Sequence, residues 1–205
     1  MDNIYRNIPP EEIPWNIETP PDILVQLVES GEVKPCRTID FGCGAGNYAI
    51  YLAGKGFDAT GVDLSPTAIK MANENAQKKG VSCHFLVADV LGDLNELTET
   101  FDFAYDWEML HHIFPDKRGK YIENVYRKLH PGSKYLSVCI SEMDPQFGGS
   151  GKYRETRLGT TLYFSNEVEL SALFEPYFNI KELKTIEISG KTGSHLVNYA
   201  FMERK

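Results

Sequence analysis

No run of about 18 consecutive apolar residues occurs in this chain, so nothing in it reads as a membrane-crossing helix. Its cysteines, Cys36, Cys43, Cys83 and Cys139, form no C-x-x-C pair, which argues against a zinc site or a disulfide framework; no metal is expected. Positive charge is in short supply: 21 Lys and Arg against 29 Asp and Glu leave a formal charge of −8. The broad basic face that nucleic-acid binding requires is therefore not expected. No P-loop Gly-Lys-Ser/Thr, internal repeat or low-complexity tract is present. The first residues, with Asp2, Glu11, Glu12 and several prolines, lack the order of a secretory leader. A cytoplasmic protein with a small-molecule partner is the expectation, and no heptad pattern indicates an oligomeric state. What is present is ordinary for one globular domain: 205 residues, 42% hydrophobic and 24% charged.

The informative stretch is Thr38-Ile39-Asp40-Phe41-Gly42-Cys43-Gly44-Ala45-Gly46, followed by Thr60-Gly61-Val62-Asp63-Leu64-Ser65. The first segment reads as a short apolar strand ending in an acid and a glycine-rich turn. Glycine lets the backbone turn tightly and approach a ligand without a Cβ in the way. The helix that follows points its unpaired N–H groups at whatever occupies the turn. The second segment is another strand with an acid at its tip, placed to accept hydrogen bonds from two vicinal ribose hydroxyls. A nucleoside-containing cofactor follows. The dinucleotide fingerprint G-x-G-x-x-G/A does not fit, because Asn47 stands where its third small residue belongs.

The pattern D-x-G-x-G-x-G resembles the first motif of the class I S-adenosylmethionine (SAM) dependent methyltransferases. Ala88-Asp89-Val90 matches the family's segment after the third strand. Leu110-His111-His112-Ile113-Phe114-Pro115 and Leu129-His130-Pro131-Gly132 match two later landmarks. The resemblance implies SAM as cofactor, with S-adenosylhomocysteine (SAH) as product. It also implies a Rossmann-like α/β fold: a mostly parallel seven-stranded sheet, helices on both faces and a C-terminal antiparallel hairpin. Carried over by position, Asp40, Gly42, Cys43, Gly44 and Gly46 surround the methionine half. Asp63 and Leu64 meet the ribose, Asp89 and Val90 the adenine, and Asp106 and Trp107 wall the methionine end. The Asp/Asn-Pro-Pro-Tyr signature of DNA amino-methyltransferases is absent after the fourth strand.

The coarse reading has an irregular lead-in over 1–19 and a helix over 21–30. It continues with strand 38–41, helix 47–55, strand 57–62, helix 66–79, strand 83–87 and a short helix near 93–97. Strand 101–106, helix 116–129 and strand 134–140 come next. A glycine-rich loop, a short strand 160–164, helix 166–175 and two final antiparallel strands follow. The whole chain, 1–205, is taken as one domain, with 1–30 as a cap over the cofactor and 144–165 as a substrate-side loop.

The expected reaction is methyl transfer to a small-molecule O, N or S nucleophile by in-line displacement. A protein methyltransferase or a noncatalytic SAM-binding partner module would carry the same motifs. Glu108, His111 and His112 leave the fourth strand where ligands bind in open α/β sheets. Either histidine can serve as general base or can fix the loop by a hydrogen bond, and Glu108 can orient an amine or face solvent. Trp15, by likeness to thiopurine, thiol and tellurite methyltransferases, would cover the sulfonium, or else anchor the lead-in. Arg154 and Arg157 can clamp an anionic substrate, with Tyr153 beside them, and His195 lies at an edge the family uses for substrate.

Overall fold

Strand β1 (Arg37–Phe41) is buried from Thr38 to Phe41 because a parallel strand covers each of its edges: β2 (Asp58–Asp63) on one side and β4 (Phe101–Trp107) on the other. The structure, a computed structural model, describes residues 1–146, 151–191 and 193–205. Beyond β2 lies β3 (His84–Val87), and beyond β4 lie β5 (Leu129–Ile140), β9 (Gly193–Arg204) and β8 (Phe178–Gly190). The seven-stranded order is β3-β2-β1-β4-β5-β9-β8, parallel except where β9 joins β5 and β8 joins β9. The chain leaves β1 toward β2 and later returns to β1's other side as β4. That reversal opens a crevice at the carboxyl ends of β1 and β4.

Helices α2 (Asp22–Glu29), α3 (Asn47–Gly54), α4 (Pro66–Lys79), α5 (Pro115–Lys128) and α6 (Glu167–Phe174) cover the sheet. Side-chain alternation sorts the core into two layers. Ile39, Phe41, Tyr121, Tyr135 and Phe174 pack on one face, and Leu24, Leu52, Phe103, Leu136 and Val138 on the other. The Ser65 hydroxyl caps α4 by accepting from Ala68 N at 3.0 Å, Pro66 starts that helix, and Gly80 ends it at φ +68°. Asn166 and Glu169 form a reciprocal capping box on α6. No helix among the described residues is long and apolar enough to cross a membrane.

Four local expectations change. Residues 1–19 are not an irregular lead-in: α1 (Asp2–Asn7) and a 3-10 turn at Pro10–Glu12 form there. Asp2 fixes α1 on the start of α4, accepting from Ser65 Oγ at 2.6 Å and Thr67 N at 3.1 Å. The segment near 93–97 is a turn rather than a helix: Asn124 Nδ2 holds the preceding carbonyls of Val90 and Gly92, each at 2.8 Å. Leu94 (φ +50°) and Leu97 then enter the core as separate anchors. Strand β5 begins at Leu129 and carries Pro131-Gly132 within it, with a register shift against β4. Part of the glycine-rich loop is ordered as β6 (Tyr153–Glu155), paired antiparallel with β7 (Thr161–Tyr163). Residues 147–150 of that loop, and Thr192 in the last hairpin, lie outside the described residues.

Two buried guanidiniums hold the loops around the crevice. Arg118 donates to the carbonyls of Ile113 (2.7 Å) and Leu110 (3.1 Å) and to Ser165 Oγ (2.7 Å). Arg154 donates to the carbonyls of Glu142 (2.9 Å), Asp144 (2.5 Å), Gln146 (3.1 Å) and Gly151 (3.1 Å). With four N–H groups on backbone carbonyls and its guanidinium carbon 4.1 Å from the Phe164 ring centroid, Arg154 braces its own loop, and it lines neither the cavity nor the groove described below.

Gly46 also belongs to the scaffold. It caps α3 at φ +77°, and a Cβ there would lie 2.6 Å from Phe85 and 2.8 Å from Ala72. It therefore sets how closely α4 and β3 approach the turn. Gly46→Ala combines left-handed strain with overpacking and should lower unfolding free energy by about 2–4 kcal/mol, read from urea denaturation.

Candidate functional site

The turn after β1 is held by its neighbour. Gly42 N and Cys43 N both donate to Val62 O, at 2.8 and 3.0 Å. Asp63, at the tip of β2, accepts from Gly44 N at 2.9 Å through Oδ2 and from Ser65 N at 2.8 Å through Oδ1. Each carboxylate oxygen thus spends one lone pair on the backbone and keeps another for a ligand. Burial raises the Asp63 carboxyl, and these two N–H groups oppose that rise.

A cavity of about 280 Å³ opens above this turn. Asp40, Gly42, Cys43 and Gly44 line its floor, and Asp63, Leu64, Ala88, Asp89 and Val90 line one end. Asp89 Oδ1 accepts from Leu91 N at 2.9 Å, closing a turn that presents its backbone to the cavity. Leu64 is 62% exposed although apolar, so it has a face to offer a planar group. Asp40 is almost fully buried, and desolvation pushes its carboxyl up to about 8, with Asp63 and Asp106 adding to the rise. Burial likewise raises the Cys43 thiol well above its usual range, which favours its protonated form.

The N-terminal segment forms the roof. Trp15 lines the cavity, donates through Nε1 to the Tyr5 hydroxyl at 2.9 Å, and packs edge-on against His112 with centroids 6.4 Å apart. The Tyr5 hydroxyl in turn rests on the turn: a Cβ at Gly44 would lie 2.7 Å from it. Asn47 Nδ2 ties the roof down by donating to Asn16 Oδ1 (2.9 Å) and Ile17 O (3.1 Å). Lys191 Nζ does the same from the last hairpin, donating to Ile13 O and Asn16 O, each at 3.1 Å.

Trp107, Glu108 and His112 line the cavity's far wall. Glu108 has φ +59°, a left-handed conformation costing about 1–2 kcal/mol in a residue with a Cβ. Its N–H still donates to Val138 O at 2.7 Å, so the strain falls where strand pairing ends. Burial, then the nearby Asp144, push its carboxyl up to about 7. Burial lowers His112 to about 4. A second groove, of about 850 Å³, lies between the segment around Pro20-Pro21 and the end of β8. Asn16, Ile17, Tyr48, Trp107 and Glu108 line both spaces.

Several expected site residues lie elsewhere. Asp106 is fully buried under the sheet, accepting from Tyr121 (3.0 Å), Ser137 (3.1 Å) and Tyr135 hydroxyls; burial pushes it up to about 6 and these bonds lower it. It is a core hydrogen-bond centre, and its side chain takes no part in the cavity wall. Gly46 lines neither space, for the packing reason given above. His111 is buried behind His112 and held well below its usual pKa by burial; its Nδ1 lies 3.4 Å from Ile140 N, so it fixes the loop. Tyr153 is 58% exposed and packs on Phe114 and Tyr163 rather than on the cavity. Arg157 is exposed and lines neither space, and Arg154 is committed to backbone. His195 Nδ1 sits 3.5 Å from Asp144 Oδ2, outside both linings. Among the described residues no group of three or more His, Cys, Asp or Glu is arranged to hold a metal.

The sequence reading missed Tyr5, Asn16, Ile17 and Tyr48. A signal for the roof did exist: Asn47, anomalous in a position where a small residue is usual, is the side chain that fastens the roof.

Residues 39–132 match the family described as a methyltransferase domain. A 2-heptyl-1-hydroxyquinolin-4(1H)-one methyltransferase of Mycobacteroides abscessus is 31% identical over 147 residues, covering 69% of this chain and 64% of that protein. A probable S-adenosyl-L-methionine-dependent methyltransferase, TehB of Haemophilus influenzae, is 25% identical over 114 residues, covering 55% of this chain and 38% of that protein. The chain thus spans less than two thirds of the length of these curated relatives. A solved structure concerned with conversion of a disulfide bond into a thioacetal group during echinomycin biosynthesis matches with a TM-score of 0.82 at 27% identity, covering 100% of this chain and 90% of that one. Residues 39–132 thus carry a methyltransferase domain, and the chain, on a sheet whose switch point carries the acid-and-glycine turn, is similar over its length to class I S-adenosylmethionine-dependent methyltransferases.

Proposed function

We infer that this protein transfers a methyl group from SAM to a small-molecule nucleophile by in-line displacement. The observation that carries the reading is the shared wall: a cavity floored by Asp40 and the glycine turn meets a larger groove at Trp107 and Glu108. A cofactor in one and an acceptor in the other can reach each other without leaving either. The residues present fit SAM. Asp40 is a buried acid with its ionisation suppressed, as suits a site awaiting an ammonium group. Asp63 retains lone pairs for two ribose hydroxyls, and Leu64, Asp89 and Val90 surround the adenine end.

Bound there, SAM supplies an electrophilic methyl on a sulfonium. The protein's share is positioning: alignment of two reactants is worth about 7–11 kcal/mol of barrier. The roof built from Tyr5 and Trp15 excludes water, and Trp15 offers a ring face to a cation. A matched relative is named as a 2-heptyl-1-hydroxyquinolin-4(1H)-one methyltransferase, which supports a small-molecule acceptor.

Titration calorimetry tests the cofactor site. Asp63→Ala removes two charge-assisted bonds and should raise the SAM dissociation constant about 100-fold. 5′-Methylthioadenosine, which keeps the ribose, should lose affinity in parallel, while free methionine should not. Equal SAM affinity in mutant and wild type would remove the ribose assignment.

Asp40 gives a pH signature. Its carboxyl is mostly protonated below about 8 in the free protein, and pairing with an ammonium needs the ionised form. Binding therefore expels a proton, and SAM affinity should fall roughly tenfold per pH unit as pH drops below 8. Asp40→Asn should bind more weakly at pH 8 and show a flat profile between pH 6 and 8. A flat wild-type profile would place the ammonium elsewhere.

A further inference from the structure

The groove beside the cofactor cavity has apolar walls and a one-signed charge. Tyr48, Trp107, Ile23, Ile186 and Ile188 provide the walls. Glu11, Glu18, Asp22, Glu108 and Glu187 are its acids; against them stands Lys191, whose ammonium is already occupied by the carbonyls of Ile13 and Asn16. Glu18 is also paired with Lys79 at 4.0 Å, yet the acids of the lining still outnumber its one lysine, so a cation with an apolar body is favoured over an anion.

At the inner end of the groove stands Glu108. Of the groove's acids it alone also lines the cofactor cavity. No hydrogen bond or ion pair to its carboxyl occurs among the described residues. Its left-handed backbone, held by the bond to Val138 O, keeps it at the junction of the two spaces.

We propose that Glu108 receives the ammonium group of an amine whose apolar body lies in this groove, and accepts one of its protons. This assignment rests on the methyl-transfer reading and names its acceptor class. The proton balance is simple: R–NH3⁺ and the Glu108 carboxylate become R–NH2 and the carboxylic acid. The amine then holds a lone pair beside the cofactor cavity, and Glu108 returns the proton to water in the groove. The groups that face Glu108 favour this exchange. Asp144, following β5, is close enough to raise its carboxyl, and Tyr48 feels its charge from α3. Asp22 from α2 and Glu187 from β8 line the same groove, with Lys191 tied to the roof, and His112 lines the cavity beyond. His195 is paired with Asp144. A positive charge arriving at Glu108 offsets its repulsion with the buried Asp144, and an acid titrating near neutrality exchanges protons readily at physiological pH.

The test is calorimetry of SAH-saturated protein at pH 8 with three probes on one ring: tryptamine (cation), tryptophol (neutral) and indole-3-propionate (anion). Tryptamine should bind at least tenfold tighter than tryptophol, and indole-3-propionate should not bind measurably. In the SAH-saturated protein, Glu108→Gln should abolish the preference for tryptamine over tryptophol. Glu108→Asp, which keeps the charge on a shorter stem, should retain part of that preference. Equal binding of the three probes, binding of none, or an unchanged preference in Glu108→Gln overturns the proposal. So does a loss of SAH affinity in that variant, which would assign Glu108 to the cofactor. Failure of the wild type to bind SAH would remove the methyl-transfer reading instead, so the two failures are distinguishable.

Discussion

The two hydrogen bonds accepted by the Asp63 carboxylate hold the rest of the site in register. One fixes Gly44 N in the turn after β1, and the other fixes Ser65 N where α4 begins. Ser65 caps α4 and also donates to Asp2, which seats α1. Helix α1 carries Tyr5, whose hydroxyl accepts from Trp15 and rests over Gly44. The circuit returns to the turn where it started. A single acid at a strand tip thereby couples the floor of the cavity to its roof, and the same acid has lone pairs left for a ligand. Loss of its charge would be felt in every member of the ring, which is why its effects on stability and on binding are hard to separate without a fragment such as 5′-methylthioadenosine.

Much of this was legible in the sequence, and the pattern of what was not is physical. Asp40, Gly42, Gly44, Asp63 and Asp89 were singled out from local spacing, because backbone-led ligand sites need special residues at fixed positions, and all five line one cavity. Helix α4 ran as read because Ser65, Pro66 and Gly80 are local end signals. Arg154, Arg118 and Asp106 were illegible because their roles depend on partners far along the chain. A buried arginine satisfied by carbonyls and an exposed one awaiting an anion have the same letter and the same neighbours in sequence. The segment near 93–97, read as a helix, is instead a turn whose preceding carbonyls, Val90 O and Gly92 O, are held by Asn124 some thirty residues away. His111 and His112 are adjacent, yet one fixes the loop and the other faces the cavity, a division set by which side of a 3-10 turn each occupies.

Three carboxyls near the switch point differ in how burial is compensated. Asp106 has three hydroxyl donors around it and rises only to about 6. Asp63 is raised by burial, and its two backbone N–H donors oppose that rise. Asp40 faces both other acids and rises to about 8. Asp40, with the Tyr105 hydroxyl opposing the rise and both other acids adding to it, is left higher than Asp106 with its three hydroxyl donors: donors stabilise a carboxylate in a dry interior and neighbouring acids do the opposite. Asp40 and Glu108 line the two spaces, whereas Asp106 is sealed in the core.

The roof links those two spaces. Asn16 and Ile17 line both the cofactor cavity and the groove, and they are fastened from opposite sides by Asn47 on α3 and Lys191 on the β8–β9 hairpin. Because the same two residues wall both spaces and are held by bonds from two separate elements, any displacement of this segment would reshape the cavity and the groove together.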